Sequence, residues 1–268
     1  MKPVFIHDKT ELENFLLERR TINYYALGDL DDFFWPYTTW LALKEGGEIQ
    51  ALVLLYNGGT LPTVLAFGED NRAEMLALVE GIRPLLPQHF YSHFTPGLDA
   101  PLRDHFSFHS GGEHYQMALA HPECLADVDV SEVENLTTAH LAELLDFYAA
   151  SYPGNWFDPR MLETGQYFGM RDAQGQIISV AGIHVYSPEY KIAALGNITT
   201  LPSQRGKGLG TKTVARLCRS LLETVDVIGL NVKADNAAAL HVYEKLGFEI
   251  VAPYYEYTAD ACVAGAGQ

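Results

Sequence analysis

Seven residues, Gln204-Arg205-Gly206-Lys207-Gly208-Leu209-Gly210, have the types and spacing to hold a polyphosphate. Alternating glycines let a backbone bend and approach a ligand with no Cβ in the way. Behind them Val214, Leu217 and Leu221 recur at helical spacing, so a helix begins near Gly208. The free N–H groups at such a helix start, with the helix dipole, make an anion site, to which Arg205 and Lys207 add positive charge. Ahead of the loop, Leu195 to Thr200 suits a strand, which Pro202 stops because it has no N–H. The dinucleotide pattern G-x-G-x-x-G is excluded, because the third glycine comes one residue early. A Walker A loop is excluded too, because Thr211 stands between Gly210 and Lys212. On these residues alone, a glycine-rich turn opening an ordinary helix stays open as the alternative.

A second stretch agrees with the first. Ile228-Gly229-Leu230-Asn231-Val232 reads as a short buried strand. After it Asp235 or Asn236 caps a helix, and Gly247 is placed as its C′ glycine. From Asn236 to Phe248 the chain spells N-x-x-A-x-x-x-Y-x-x-x-G-F, and from Arg205 to Gly210 it spells Q/R-x-x-G-x-G/A after a strand carrying T-x-P. The two together, in this order, resemble the GNAT superfamily of acyl-CoA-dependent N-acyltransferases over roughly the C-terminal half of the chain. The run Ile198-Thr199-Thr200-Leu201-Pro202 before Gln204 is similar to the branch holding glycine N-acyltransferase-like domains.

The resemblance implies a site. Acetyl-CoA would be the co-substrate, its pyrophosphate on Gln204, Arg205, Gly206, Lys207, Gly208, Leu209, Gly210 and Thr211. Pantetheine would lie as a pseudo-strand along Ile198, Thr199 and Thr200, since strand edges offer N–H and C=O groups that match its amides. The N–H near Ile198 would polarise the thioester carbonyl. Asn231 and Asn236 would contact pantetheine, and Tyr243 would be the general acid to the leaving thiolate. A tyrosine packed with Leu240 and Leu246 is the alternative for Tyr243. No base is assigned, because Gly196, Asn197 and Thr199 stand where many relatives keep a carboxylate. His184, Glu189 and a water chain are the candidates.

Composition sets limits around this site. The 268 residues, 48% hydrophobic and 19% charged, describe a globular chain long enough for one large or two modest domains. A net charge of −16 argues against nucleic acid or an anionic membrane as partner. No apolar run reaches the roughly 20 residues of a membrane helix, and the first residues lack a signal-peptide core. The 3 cysteines, Cys124, Cys218 and Cys262, have no metal spacing and fit a reducing cytoplasm. His89, His93, His105, His109, His114 and His121 lack carboxylates or cysteines at ligand spacing, so no metal is expected and they read as strand and loop surface.

Taken in order, the chain carries the same sequence of elements twice. Lys9 to Arg20 reads as a helix capped at Thr10, followed by the aromatic segment Tyr24 to Pro36, read as core packing. Strands follow at Thr39–Leu43 and Ile49–Tyr56 around Gly46-Gly47, then at Thr63–Phe67. A helix at Asn71–Ile82, a strand at Phe90–Phe94, a short helix at Leu98–His105 and a strand at Tyr115–Leu119 complete the first set. The second has a helix at Thr137–Ala150, a hairpin of Tyr167–Arg171 and Ile177–Tyr186, a strand at Ile192–Thr200, the phosphate-loop helix, the Asn231 strand, the Tyr243 helix and a strand at Phe248–Tyr257.

The expected fold is therefore α+β, a tandem of GNAT-like domains, each a mixed, mostly antiparallel sheet flanked by helices. Residues 1–124 would be a degenerate domain, 125–260 the transferase domain and 261–268 a loose tail. The first half has acidic Phe67-Gly68-Glu69-Asp70-Asn71 in place of the phosphate loop, so it would shape the acceptor side and not bind coenzyme A. The expected activity is N-acetyl transfer to a small amine or amino-acid-like acceptor, with a homodimer among the assemblies open to it. A non-catalytic acyl-CoA-binding module and a protein N-terminal or lysine acetyltransferase are the rival readings.

Overall fold

The computed structural model describes residues 2–262, which divide into two compact units. The first comprises the chain up to Gln116, Lys233–Asp235 and the residues from Ala252 onward; the second comprises Met117–Val232 and Asn236–Val251. Among the described residues no helix is long and apolar enough to cross a membrane.

In the first unit seven strands lie side by side. Their order is β1 (Val4–Ile6), β2 (Thr38–Glu45), β3 (Glu48–Tyr56), β4 (Thr63–Ala66), β5 (His89–Phe94), the later part of β12 (Phe248–Ala261) and the earlier part of β6 (Phe106–Leu119). β4 and β5 run parallel, joined by helix α3 (Arg72–Ile82), while the β1–β2, β2–β3, β3–β4 and β5–β12 ladders are antiparallel. Gly46 and Gly47 turn the β2–β3 hairpin at φ 60° and 96°, where a Cβ would be strained. α3 buries Met75, Leu78, Val79 and Ile82 in a core with Leu41, Val53, Phe90 and Phe94.

The structure revises two local expectations here and keeps a third. Helix α1 (Lys9–Leu17) is capped by Asp8, whose carboxylate accepts from the N–H groups of Thr10 at 2.9 Å and Glu11 at 3.3 Å; a carboxylate at that position also favours the helix dipole, so Thr10 is left inside the first turn. The aromatic segment packs into the core as expected, in part through a short helix, α2 (Tyr24–Gly28), with Tyr24 and Leu27 fully buried. The helix expected at Leu98–His105 shrinks to one 3₁₀ turn, Ala100–Leu102, because β6 begins at Phe106, ahead of the expected Tyr115. At the other end β12 runs to Ala261, and the Cys262 N–H donates to His105 O at 2.8 Å. The rest of the expected tail lies outside the described residues.

The second unit repeats the plan. β7 (Glu134–Asn135), β8 (Phe168–Arg171), β9 (Ile177–Ser187), β10 (Ile192–Thr200) and β11 (Val227–Lys233) are neighbours in that order. All these ladders are antiparallel except β10–β11, whose strands run parallel and are joined by α5 (Leu209–Leu221). The parallel crossover β4–α3–β5 of the first unit thus recurs as β10–α5–β11. α5 buries Thr213, Val214, Leu217, Cys218 and Leu221, one face at helical spacing, on β8, β9 and β10. Each such leucine stabilises the packed state by about 1.5–3 kcal/mol. α4 (Leu141–Ser151) follows a 3₁₀ turn closed by a capping box of Thr137 and His140.

Helix α6 (Ala237–Lys245) has both of its expected ends. Asn236 Oδ1 accepts from the Ala239 N–H at 3.1 Å, and Gly247 sits past the C-terminus at φ 91°. Gly247 O accepts the N–H groups of Ala120 and His121, both at 2.9 Å, and a Cβ at 247 would stand 2.1 Å from His121 O. Arg219 of α5 reaches the same linker, its Nη2 donating to the main-chain oxygens of Leu125, Ala126 and Val128. The polar 120–129 stretch is therefore tied to two helices.

Candidate functional site

The site grows out of the end of β10. Its parallel ladder with β11 runs from Ile192↔Val227 to Leu195↔Leu230 and is not continued beyond. On its other side β10 pairs Gly196 with Gly182 and Thr199 with Val180, so Asn197 and Ile198 together oppose Ala181. Two residues against one is a β-bulge, and it re-aims the strand where the parallel ladder ends. Asn197 holds the kink with φ 54°, a region that asparagine tolerates better than most residues with a Cβ.

A buried polar set fixes that kink. The Tyr148 phenol donates to Asn197 O at 2.9 Å, Asn155 Nδ2 donates to Asn197 Oδ1 at 3.3 Å, and Asn197 Nδ2 donates to Tyr167 Oη at 3.0 Å. Tyr167 Oη in turn donates to Ile183 O at 2.9 Å. Burial raises both phenols well above their ordinary range, so they stay protonated donors. Further along, Thr199 Oγ1 donates to Ser151 O at 3.4 Å, and Thr200 Oγ1 lies 2.8 Å from Ser179 Oγ. Ile198, Thr199 and Thr200 all remain part-exposed.

The glycine loop follows as expected. Gly206 and Gly208 take φ 76° and 75°, and neither has an atom within 4 Å of where a Cβ would go. The first N–H bonded back into this turn is that of Lys212, which donates to Gly208 O at 3.2 Å. Among the described residues the N–H groups of Leu209, Gly210 and Thr211 have no hydrogen-bond partner. Arg205 Nε donates to Thr200 O at 3.2 Å, and Lys207 Nζ to Gln204 Oε1 at 2.7 Å, which tethers both charges to the loop. A recess of about 540 Å³ opens beside it, lined by Gly208, Thr211, Lys212, Lys245, Cys124 and the 127–129 loop. Lys212 is already ion-paired with Glu132 at 3.0 Å.

The remaining expected residues separate by environment. Asn231 stands on β11 one residue past its last partner on β10. Asn236 is exposed and serves as the α6 cap. Tyr243 is 8% exposed, edge-on to Phe248 with centroids 5.9 Å apart. Burial, and then the neighbouring Cys218 and Tyr152, push its phenol up, which keeps it protonated. Of the two candidate bases, Glu189 lies in the turn before β10, whose first five residues, roughly 17 Å of strand, separate that turn from Asn197. His184 lies on β9 at a second register shift, the extra residue between Val185, paired with Ala194, and Ile183, paired with Leu195.

The loop in the first unit that stands in place of the phosphate loop is tied down to other parts of that unit. The Gly68 N–H donates to Thr95 Oγ1 at 3.1 Å, Asn71 Nδ2 to Gln50 O at 2.8 Å, and Asp70 pairs with Arg19 at 2.9 Å. The histidines also depart from a purely surface reading. His93 and His114 are largely buried and flank Glu256, with Nε2 atoms 3.6 and 3.4 Å from its carboxylate oxygens, because β5, β12 and β6 set them in one row. Among the described residues no group of three or more His, Cys, Asp or Glu is arranged to hold a metal ion. Of the polar set around the bulge, Asn197 alone left a trace in the sequence, as an asparagine inside a strand; Tyr148, Asn155 and Tyr167 carried no signal that they meet there.

Residues 134–248, the span that holds the bulge, the loop and Tyr243, match the acetyltransferase (GNAT) family. The chain is 33% identical over 97 residues to mycothiol acetyltransferase of Tsukamurella paurometabola, covering 35% of this chain and 33% of that protein. It is 29% identical over 102 residues to L-methionine sulfoximine/L-methionine sulfone acetyltransferase of Pseudomonas aeruginosa, covering 35% of this chain and 57% of that one. The matches thus span from a third to little over half of the length of these relatives. In fold the chain is similar to a tandem GNAT protein from the clavulanic acid biosynthesis pathway, with TM-score 0.57 and 17% identity over 98% of this chain and 99% of that one.

Proposed function

We propose that the protein is an acetyl-CoA-dependent N-acetyltransferase acting on the amine of a small-molecule acceptor. The observation that carries this reading is the pairing of an unladdered bulge at Asn197 and Ile198 with the unpaired N–H groups of Leu209, Gly210 and Thr211 at the start of the next helix. The helix start would take the pyrophosphate of acetyl-CoA, with Gln204 to Thr211 around it and Arg205 and Lys207 supplying charge. The strand edge at Ile198, Thr199 and Thr200 would take the pantetheine amides, with Asn231 and Asn236 beside it. The thioester oxygen would accept from the main chain near Ile198, which stabilises the charge that develops on attack.

Proton traffic completes the reaction. The departing thiolate needs a proton, and the Tyr243 phenol, kept protonated by burial, is the donor this reading assigns. The acceptor class is supported by the relatives, both of which carry a small molecule in their names, mycothiol and methionine sulfoximine. An acidic chain of net charge −16 also favours cationic amines over nucleic acid. An amino-acid-like acceptor, as the glycine N-acyltransferase-like wording before Gln204 suggests, is the finer form of the same proposal.

The test is thiol release from acetyl-CoA across a panel of amines and amino acids, alongside calorimetric titration of acetyl-CoA. Turnover with one amine class supports transfer to a small acceptor. Tight binding with no turnover by any free amine or protein acceptor would make this an acyl-CoA-binding module, and turnover confined to a protein acceptor would overturn the small-molecule reading.

A further inference from the structure

Two register shifts lie close together on the β9–β10 ladder, separated only by the pairs Leu195↔Ile183 and Gly196↔Gly182. The shift on β10 is the bulge at Asn197 and Ile198. The one on β9 is a single extra residue: Val185 pairs with Ala194 and Ile183 with Leu195, which leaves His184 without an opposite number. An inserted residue drops out of the alternation of the pleat and its side chain is aimed where a regular strand would not send it.

Here it is aimed at β10. A Cβ built on Gly196 would stand 2.2 Å from His184 Cδ2 and 2.5 Å from its Nε2, so the imidazole fills the place of a side chain at position 196. Gly196 is the residue just before the bulge, next to the main chain that would receive the thioester. Trp156 packs edge-on against the ring, with centroids 5.5 Å apart and planes at 86°, and is itself 41% exposed, so the imidazole lies between the bulge and an open aromatic edge. The unit's other imidazoles are elsewhere: His121 is tied to Glu123 and Glu249, His140 closes the turn before α4, and His241 lies on α6.

We propose that His184 is the catalytic base that takes the proton from the attacking amine, an assignment that rests on the transfer reading above. The acceptor arrives as an ammonium and gives one proton to a ring nitrogen of His184. The freed nitrogen lone pair forms the new C–N bond at the thioester carbonyl. As the C–S bond breaks, the electron pair leaves on sulfur, and the thiolate takes a proton from Tyr243; the second proton lost by nitrogen restores the phenol through solvent. The imidazolium then sheds its proton to water, so one ammonium and one thioester give one amide, one thiol and one released proton. Gly196 serves this step by leaving room for the ring.

The test compares wild type, His184→Gln and Gly196→Ala, using an amine that the wild type accepts and a hydroxylamine-type acceptor whose nitrogen is already neutral at pH 7. Acetyl-CoA binding by calorimetry should be unchanged in His184→Gln, while kcat/KM for the basic amine falls on the order of a hundredfold at pH 7. The loss should shrink as pH rises, and should be under about tenfold for the neutral acceptor, which needs no deprotonation before attack. Gly196→Ala, which pushes the ring aside, should flatten the same pH limb. An unchanged pH profile and kcat/KM in His184→Gln, or an equal loss for both acceptors at every pH, overturns the assignment, since packing alone would act equally. A wild type that binds acetyl-CoA but transfers to no amine overturns the transfer reading instead, and the assignment falls with it.

Discussion

The Tyr148 phenol donates to the main-chain oxygen of Asn197 across 2.9 Å, and that one bond ties helix α4 to the kink of β10. The kink depends on a residue that accepts φ 54° and also offers an amide to Asn155 and Tyr167. Asn197→Ala keeps the strained backbone and loses both side-chain bonds, so it should cost about 1–3 kcal/mol in denaturant unfolding. Asn197→Gly relieves the backbone and should lose less than the alanine variant, while both weaken acetyl-CoA binding. Equal stability of wild type and alanine variant would show that the bulge does not need the amide.

The phosphate loop separates strain from charge. Space is open around Gly208, but its φ of 75° disfavours any Cβ by about 1–2 kcal/mol. Gly208→Ala and Gly208→Asp should therefore melt at similar temperatures. The aspartate also sets a negative charge among the unpaired N–H groups, so acetyl-CoA affinity should fall by more than about tenfold beyond the alanine variant, and the gap should narrow at high salt. Calorimetry at two ionic strengths decides it. Equal affinities would remove the pyrophosphate from this loop.

Legibility followed locality. The helix starting after Gly208, the cap at Asn236, the C′ glycine at 247 and the Gly46-Gly47 hairpin were all readable, because each is decided by residues within a turn of one another. Strand β1 was not, since only Ile6 of its three residues is buried and no alternation can be seen. The start of β6 was hidden as well: Ser110, Gly111 and Gly112 are poor strand formers, yet they lie inside β6, where a Cβ at Gly111 would stand 3.1 Å from Glu256 Cβ on the neighbouring strand. Bulges are hidden for the same reason. His184 and Asn197 depart from the pleat only in relation to a partner strand, so along the chain His184 could be named as a candidate base but not set above Glu189.

Tyr243→Phe isolates the proton donor. Phenylalanine keeps the edge contact to Phe248 at 5.9 Å and removes only the hydroxyl, so the melting temperature should hardly move. kcat should fall on the order of a hundredfold, with KM for acetyl-CoA unchanged. The loss should be smaller for an acyl donor whose thiol leaving group is more acidic, since that thiolate needs less help from a proton. Unchanged kcat would leave Tyr243 as a packing residue on α6.

The first unit predicts its own pH behaviour through His93 and Glu256. Their side chains are 14% and 16% exposed, with His93 Nε2 3.6 Å from the carboxylate and His114 Nε2 3.4 Å from it on the other side. Tyr254 Oη donates to Glu256 at 2.8 Å, and Tyr91 donates to its other oxygen. Burial pushes Glu256 up, but the two imidazoles and two phenols outweigh it and hold the carboxyl below its ordinary 4.5. Burial lowers His93 below its ordinary 6.5, against the pull of Glu256 and with the help of His114. Its Nδ1 has no hydrogen-bond partner among the described residues, so a second ring proton would find no acceptor. Both groups bind fewer protons folded than unfolded, so both stabilise at neutral pH and lose that contribution on acidification. The melting temperature should thus begin to fall as pH drops below 6.5 through His93, and fall again below 4.5 through Glu256. His93→Gln should remove the upper step and keep the lower one. A wild-type melting temperature flat from pH 7 to pH 5, or an upper step that survives in His93→Gln, would show that the row on β5, β12 and β6 does not govern acid stability.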